Sequence, residues 1–343
     1  MTVAAIYLGV TLILGLLAVV LRLPPLVGFL AAGFALNWLD VPDLPAINTV
    51  ADLGVTLLLF GIGLKLDLRT LARREVWLTA TAHLVLSVAF GTLVLWIAGA
   101  VGVPMLGGQH LETFALLAFA LSFSSTVFVV KVLEERGESD SLYGRVAIGI
   151  LVIQDIAAVI FLTATSGHTP SPWAFTLLLL WPASKVLRAI WGRIGHGEMQ
   201  SLFGVVMALV PGYWLFSAVG LKGDLGALIM GVLLASHPAA SEVSRSLFHI
   251  KELLLVGFFV SIGLTGLPDL PILGLALGMV ALLPFKALGY VALLWILRLR
   301  IRTSLLAGLS LTNYSEFGLI VVAFGVQAGM LSQTWLVEIS IAV

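Results

Sequence analysis

The sequence contains no cysteine, few charged residues and no net charge. The absence of cysteine excludes disulfides, thiol catalysis and thiolate metal sites. Only 10% of the residues are charged, and 18 basic residues balance 18 acidic ones, so no basic surface for nucleic acid is expected. Hydrophobic residues make up 60% of the chain, far above the share in soluble domains. We therefore expect an all-α integral membrane protein whose surface is largely in contact with the lipid bilayer.

Apolar segments separated by charges, glycine and proline predict about thirteen transmembrane spans, several of them short against the ~20 residues that cross a bilayer. They cover residues 6–21, 26–39, 50–64, 76–101, 113–133, 144–164, 173–191, 202–219, 225–236, 253–264, 272–297, 305–328 and 331–343. The first segment lacks a basic start and a clear cleavage site, so it is expected to be a retained helix. The whole chain, 1–343, is expected to form one membrane domain.

The distribution of lysine and arginine predicts the orientation of these spans. Sixteen of the 18 basic residues are assigned to loops that follow odd-numbered spans. Of the other two, Lys222 falls on the opposite side and Lys286 lies inside span 11. Because cytoplasmic loops carry an excess of Lys and Arg, we expect the N-terminus outside the cell and the odd loops inside.

Short motifs in the first half of the chain recur in the second half. Gly28 and Gly33 recur as Gly226 and Gly231, residues 61–64 as 261–264, and residues 121–124 as 309–312. Matching motifs are an odd number of spans apart, so the second copy enters the membrane from the opposite side, as in many secondary transporters. We predict two inverted repeats, about 1–166 and 198–343, joined by a linker helix at about 173–191. The last helix is expected to be truncated, and no cytoplasmic regulatory domain is expected within the chain.

Asp155, preceded by Gln154, lies about half-way along span 6 and is the strongest candidate for chemistry. A charge at the centre of a span costs about 2.5–3.5 kcal/mol on insertion scales, so it needs a reason. One buried carboxylate can bind either a proton or an alkali cation, and competition between the two supports exchange. The alternative is a structural aspartate that is hydrogen-bonded to a neighbouring helix.

Two polar runs interrupt apolar spans at repeat-related positions. Span 5 contains Ser122 to Thr126, with Ser124 and Ser125 inside the run, and span 12 contains Thr312 to Glu316, with Asn313 inside it. Such runs suit crossed, discontinuous helices whose half-helix ends meet at a midplane ion site. The alternative is an intact helix in which serine and threonine bond to the preceding turn.

Two further charged residues have open roles. Glu316 either neutralises the N-terminus of a half-helix or faces the ion path, and it shares one helical face with Asn313. Lys286 is able to pair with Asp155 or to balance the crossing of the broken helices. His83, in span 4, is expected to be a hydrogen-bonded packing residue.

Four stretches resemble the Kef-type branch of the monovalent cation:proton antiporters. They are residues 57–64, Ser124-Ser125-Thr126, Gln154-Asp155 and residues 315–318. The resemblance implies the sodium/proton-antiporter-like fold, with a dimerisation domain, a mobile core domain and elevator-like alternating access. It also implies that Asp155 carries the cation or proton and that Lys286 matches the membrane lysine of the family. Gln154 is expected to bind the ion beside Asp155, and Thr126 and Ser125 are expected to supply oxygens to the monovalent cation.

The same resemblance implies the transported ions and the partners. Gln154 before the aspartate is similar to the potassium-linked group, which favours K⁺/H⁺ exchange, with Na⁺/H⁺ exchange as the alternative. A homodimer in the inner membrane is expected, together with a nucleotide-binding regulatory domain beyond this chain. No cofactor, nucleic-acid partner or enzyme activity is expected. A gated, channel-like K⁺ efflux protein of the same fold is the other alternative, and an aspartyl protease would need a second catalytic aspartate.

Overall fold

The computed structural model describes residues 2–42, 44–65, 71–139, 141–165, 171–194, 197–221 and 223–343. Within these ranges every regular element is helical. In the part of the chain that the structure describes, eight helical segments are long and apolar enough to cross a membrane, and four shorter apolar helices accompany them. Arg69 and Lys222, which entered the orientation argument, lie outside the described residues. The chain is thus an all-helical, multi-pass membrane protein.

The chain forms two compact units, and each takes helices from both halves of the sequence. The first unit contains Met1–Leu66 and Thr163–Leu267, and the second contains Asp67–Leu162 and Pro268–Val343. Asp155, Lys286 and both polar runs belong to the second unit, which we call the ion unit; the first is the scaffold unit.

The scaffold unit begins with three helices and continues after the middle of the chain. Its helices are α1 (Thr2–Val20), α2 (Pro25–Trp38), α3 (Ala46–Leu64), α8 (Leu180–Trp191), α9 (Glu198–Met207), α10 (Leu215–Ala218), α11 (Gly223–Leu234) and α12 (Ala240–Gly263). A 3₁₀ segment, Pro172–Leu179, leads into α8, and a π segment, Ala208–Trp214, joins α9 to α10 around Pro211. Proline has no N–H and so interrupts the ordinary helical ladder there.

Two of the close helix crossings in the scaffold unit pair one glycine with another. α2 meets α12 where Gly33 faces the backbone of Gly263, and α3 meets α11 where Gly63 faces the backbone of Gly231. A Cβ at Gly33 would overlap the carbonyl oxygen of Val260, and a Cβ at Gly63 would overlap that of Leu228. Small residues let membrane helices approach closely enough for backbone contact.

Within the described residues, the ion unit contains the remaining nine helices. They are α4 (Arg74–Ala100), α5 (Leu111–Ser122), α6 (Thr126–Glu135), α7 (Leu142–Thr165, whose last turn falls in the scaffold unit), α13 (Leu270–Val280), α14 (Leu283–Ile296), α15 (Ile301–Ser310), α16 (Glu316–Gln327) and α17 (Gln333–Ala342). α7 is the central, largely buried helix, whereas α4 exposes large apolar side chains such as Leu86, Phe90 and Trp96. That surface suits contact with lipid tails.

Some boundaries differ from those expected from hydropathy. Eight basic residues assigned to loops lie within helices: Arg74, Lys131, Arg145, Lys185, Arg188, Arg245, Lys251 and Arg302. α12 begins at Ala240 rather than near residue 253, because backbone hydrogen bonding continues through a charged segment that is not apolar. The expected span 272–297 is present as one candidate span, Leu270–Ile296, in which a short turn separates α13 from α14 and Pro284 lies in the first turn of α14.

Candidate ion-binding site

Both polar runs interrupt their helices, as the sequence predicts. α5 ends at Ser122, its C-cap Phe123 is extended with ψ of 147°, and α6 begins at Thr126. α15 ends at Ser310, and α16 begins at Glu316 after Ser315, whose side chain accepts a hydrogen bond from the N–H of Phe317. We call residues 123–125 the first break and 311–315 the second break. Each break leaves helix-end carbonyls and N–H groups that need partners inside the membrane.

The two breaks bond directly to each other. The backbone N–H of Ser125 donates to Oδ1 of Asn313 at 2.6 Å, and Oγ of Ser124 donates to the carbonyl oxygen of Leu311 at 2.7 Å. Nδ2 of Asn313 in turn donates to the carbonyl oxygen of Ser310, the last residue of α15, at 3.0 Å. The polar side chains of each break therefore satisfy backbone groups that the other break leaves free.

Lys286 places its ammonium group against carbonyl oxygens of both breaks. The Nζ atom donates to Phe123 at 2.6 Å, to Leu121 at 3.2 Å and to Asn313 at 2.7 Å. The side chain is 8% exposed. Carbonyl ends of helices carry partial negative charge, so a buried cation is stabilised there. This geometry matches the second of the two roles left open by the sequence, in which Lys286 balances the broken helices.

Glu316 occupies the complementary position, in the first turn of α16. It is 4% exposed, and Oε2 accepts a hydrogen bond from Oγ of Ser125 at 3.0 Å. Among the described residues, Oε1 has no hydrogen-bond partner. A carboxylate near a helix N-terminus is electrostatically favourable. The ion unit thus pairs a buried anion with a half-helix N-terminus and a buried cation with half-helix carbonyls.

Asp155 lies in α7 next to the start of α6. The side chain is 1% exposed, and the hydroxyl of Thr126 donates to Oδ2 at 3.1 Å and lies 3.4 Å from Oδ1. Thr126 itself is only partly buried. Because Thr126 is the first residue of α6, the carboxylate is close to a helix N-terminus that opens at the first break.

Gln154 connects α7 to the first break and to a residue that the sequence analysis missed. Oε1 accepts from the backbone N–H of Ser124 at 3.0 Å, and Nε2 donates to the hydroxyl of Tyr290 at 2.5 Å and to the carbonyl of Ser122 at 3.4 Å. Tyr290 is fully buried in α14. Its one sequence signal was its position four residues after Lys286, which puts both side chains on one face of a helix.

Two further buried polar residues of the ion unit are His83 and Glu338. His83 stacks on Tyr290 with ring centroids 3.4 Å apart, and its Nε2 lies 3.2 Å from the carbonyl oxygen of Lys286. This agrees with the expected packing role. Glu338 in α17 is fully buried, and neither carboxylate oxygen has a hydrogen-bond partner among the described residues. The sequence analysis did not single it out.

Comparison with known proteins places this arrangement in a family. Residues 8–343 match the family described as sodium/hydrogen exchanger, transmembrane. The chain is 30% identical to the iron transporter MagA of Paramagnetospirillum magneticum, over 97% of this chain and 80% of that protein. It is also 30% identical to the glutathione-regulated potassium-efflux system protein KefC of Escherichia coli, over 99% of this chain and 57% of KefC. The chain therefore spans little more than half the length of KefC.

A solved structure supports the same fold. The sodium proton antiporter MjNhaP1 from Methanocaldococcus jannaschii superposes with a TM-score of 0.66 at 15% identity, over 100% of this chain and 93% of that one. At this identity the likeness shows the fold alone, while the family match rests on the sequence. The chain is a multi-pass membrane transporter rather than an enzyme, and it belongs to the sodium/hydrogen exchanger family of monovalent cation:proton antiporters.

Proposed function

We propose that this protein exchanges a monovalent cation, with K⁺ preferred, for protons by competition at the carboxylate of Asp155. The observation that carries the proposal is a buried carboxylate in the middle of α7, bonded to Thr126 at the first break. A cation bound there would use Asp155 and the hydroxyl of Thr126, with Ser125 as a neighbouring oxygen. Burial penalises a charged, empty site, so the carboxylate is occupied by a proton or by a cation when the protein moves.

Charge balance at the breaks supports this division of roles. Lys286 donates hydrogen bonds to three carbonyl oxygens. One is at the end of α5, one is in the first break and one is in the second break. Glu316 bonds to Ser125 at the start of α16. Both residues therefore act as fixed charges that stabilise the broken helices, together with Asn313 and Ser124. Asp155, which accepts from Thr126 at the first break, is the carboxylate that would exchange its ligand.

The proposed architecture has thirteen spans in two inverted repeats, with the N-terminus outside and the broken helices crossing at the site. Support comes from the glycine contacts of the scaffold unit. Gly33 in the first repeat contacts Gly263 in the second, and their repeat mates, Gly231 and Gly63, contact each other. Reciprocal contacts of this kind arise when two copies are related by a two-fold axis in the membrane plane.

Transport by elevator-like alternating access in the inner membrane, in a homodimer, completes the proposal. The ion unit holds every candidate ion-binding side chain, so its movement as a body would carry the ion. Kef-type relatives favour K⁺, as does the amide of Gln154 beside Asp155, and a nucleotide-binding regulatory domain beyond this chain would control the exchange. These relatives are named for potassium efflux or, in one case, iron transport.

Ion-driven proton flux tests the proposal directly. Purified protein is reconstituted into liposomes containing a pH-sensitive dye, and K⁺, Na⁺, Li⁺ and Fe²⁺ gradients are applied in turn. We expect proton movement opposite to K⁺, a smaller response to Na⁺, and no response to Fe²⁺. A larger response to Na⁺ than to K⁺ would contradict the potassium assignment. Single-channel K⁺ currents far above carrier turnover would replace exchange by channel-like efflux.

A further inference from the structure

Tyr290 joins three segments of the ion unit through one hydroxyl group. It is fully buried in α14, where its ring belongs to the apolar core formed with α7 and α15. The hydroxyl lies 2.5 Å from Nε2 of Gln154 in α7 and 3.2 Å from Oγ of Ser124 in the first break. A buried tyrosine hydroxyl with two side-chain partners is a fixed polar connection in an otherwise apolar region.

The chemistry of the groups determines the direction of each hydrogen bond in the series that links Gln154, Tyr290 and Ser124 to the second break. The backbone N–H of Ser124 can only donate, so the atom of Gln154 that faces it must be the amide oxygen. The NH₂ group of Gln154 therefore faces Tyr290 and donates to it. At the other end, the carbonyl oxygen of Leu311 can only accept, so the hydroxyl of Ser124 donates to it.

The proton of Tyr290 is then directed at Ser124. Its oxygen already accepts from Gln154, and the hydroxyl oxygen of Ser124 is the acceptor that remains within reach. One continuous chain runs from the amide of Gln154 through Tyr290 and Ser124 to the second break. Removing the tyrosine hydroxyl would break the chain in its middle and allow the amide of Gln154 to rotate.

The ring of Tyr290 is also held in place from α4. The imidazole of His83 stacks on it with an interplanar angle of 8°, and Nε2 of His83 lies 3.2 Å from the carbonyl oxygen of Lys286. Gly289 leaves room for this imidazole, because a Cβ there would lie 3.2 Å from the His83 ring. The hydroxyl is therefore presented to Gln154 from a fixed position.

We propose that Tyr290 is a positioning residue that fixes the amide of Gln154, so that Gln154 holds the first break in place beside Asp155 instead of coordinating the cation. The proposal rests on the proposed function, because it treats Asp155 as the ion-carrying residue. It departs from the expectation that Gln154 itself binds the ion, since the amide oxygen faces the backbone N–H of Ser124 and the NH₂ group faces Tyr290. The contact between Gln154 and Ser124 thereby aligns Thr126, two residues after Ser124, with Asp155.

A double-mutant cycle tests whether Tyr290 acts through Gln154. Tyr290→Phe, Gln154→Ala and the double variant are reconstituted, and the KM for K⁺ and the maximal flux are measured for each. Losing one internal hydrogen bond predicts a rise in KM of about two- to tenfold for Tyr290→Phe, with maximal flux retained. In the Gln154→Ala background the same change is expected to raise KM by about twofold or less. Tyr143→Phe is the matched control, since it removes a hydroxyl bonded to Glu138 in the same unit, and it should leave KM unchanged.

The outcomes separate this inference from the proposed function. An unchanged KM in Tyr290→Phe, or an equal rise in both backgrounds, overturns the positioning role. If Asp155→Asn retains exchange, the proposed function fails instead. In that event the melting temperatures of the four proteins in cation-free detergent still decide the inference. The inference is contradicted if the decrease in melting temperature of the double variant equals the sum of the decreases in the two single variants. It is supported if the double variant melts at about the same temperature as Gln154→Ala alone.

Discussion

Asp155→Asn should remove cation-coupled proton flux while leaving the fold intact. Asparagine keeps the size of the side chain and an oxygen that accepts from Thr126, whose hydroxyl lies 3.1 Å from Oδ2. A hydrogen bond to a charged group contributes about 1.5–3 kcal/mol and a neutral one about 0.5–1.5 kcal/mol, so the bond weakens by roughly 1 kcal/mol. Removing a charge that is 1% exposed offsets part of this loss, because the charged form is penalised by burial. We therefore expect the melting temperature to change by about 2 °C or less.

The loss of function should appear in the same melting experiment. A cation that binds only the folded protein stabilises it by about 2.7 kcal/mol at a hundred times its Kd. The wild-type melting temperature should therefore rise with K⁺ concentration, whereas that of Asp155→Asn should not. In liposomes, wild-type protein should show K⁺-dependent proton flux, and the variant should show the signal of empty liposomes.

Asp224→Asn is the matched control for this prediction. Asp224 lies in the scaffold unit and accepts a hydrogen bond from the hydroxyl of Thr56 at 2.9 Å, which is the same pairing of threonine and aspartate. This variant should keep both the K⁺-dependent melting shift and the flux. Wild-type exchange rates in folded Asp155→Asn would make Asp155 a structural residue and refute the mechanism. Equal losses in both variants would show that the assay responds to any weakened Thr–Asp pair.

Three further predictions concern packing and charge. Gly63→Ala should destabilise the protein by about 1–3 kcal/mol because the added Cβ overlaps a backbone carbonyl oxygen. Gly61→Ala on the same helix meets open space and should be neutral or stabilising. Equal melting temperatures of the two variants would contradict the close crossing at Gly63. Lys286→Met should lower stability by about 3–5 kcal/mol by leaving three carbonyl oxygens without their buried cation, and a melting temperature equal to that of wild type would contradict this role. Exchange at the single carboxylate of Asp155 should be electroneutral, so an imposed membrane potential should not change the flux, and a potential-driven flux would mean that a second group titrates.

The sequence predicted the interruptions of the helices because polar side chains are costly in lipid. Ser124, Ser125 and Asn313 had to bond to something within the membrane, and freed backbone groups were the available partners. The structure bears this out at both breaks. What the sequence could not supply was the choice of partner, since that depends on which helices pack together. Lys286 was therefore left with two roles that only the distances to carbonyl oxygens distinguish.

The residues and boundaries that were missed have a common physical cause. A tyrosine in an apolar helix is an ordinary core residue, so its spacing of four residues from Lys286 was too weak a signal to mark Tyr290 before Gln154 was found beside it. Hydropathy also failed at the start of α12, where Arg245 and Lys251 suggested a loop. Helical hydrogen bonding depends on the backbone and tolerates charges, whereas the hydropathy signal ends at the first of them. Apolar patterning thus reports where lipid is in contact, not where a helix ends.

In the proposed mechanism, the arrangement of fixed charges allows one carboxylate to be enough for exchange. The ammonium of Lys286 bonds to carbonyl oxygens at the breaks, and the carboxylate of Glu316 bonds to Ser125 at a helix start, so both charges are matched by half-helix ends. Gln154 is an amide whose oxygen and nitrogen are both committed to hydrogen bonds. In the proposed mechanism, Asp155 is the group whose charge changes when a proton leaves and a cation enters. Because both loaded forms are neutral, each can cross a low-dielectric region at similar cost, and the empty, charged form cannot, which couples the two ion flows through a single site.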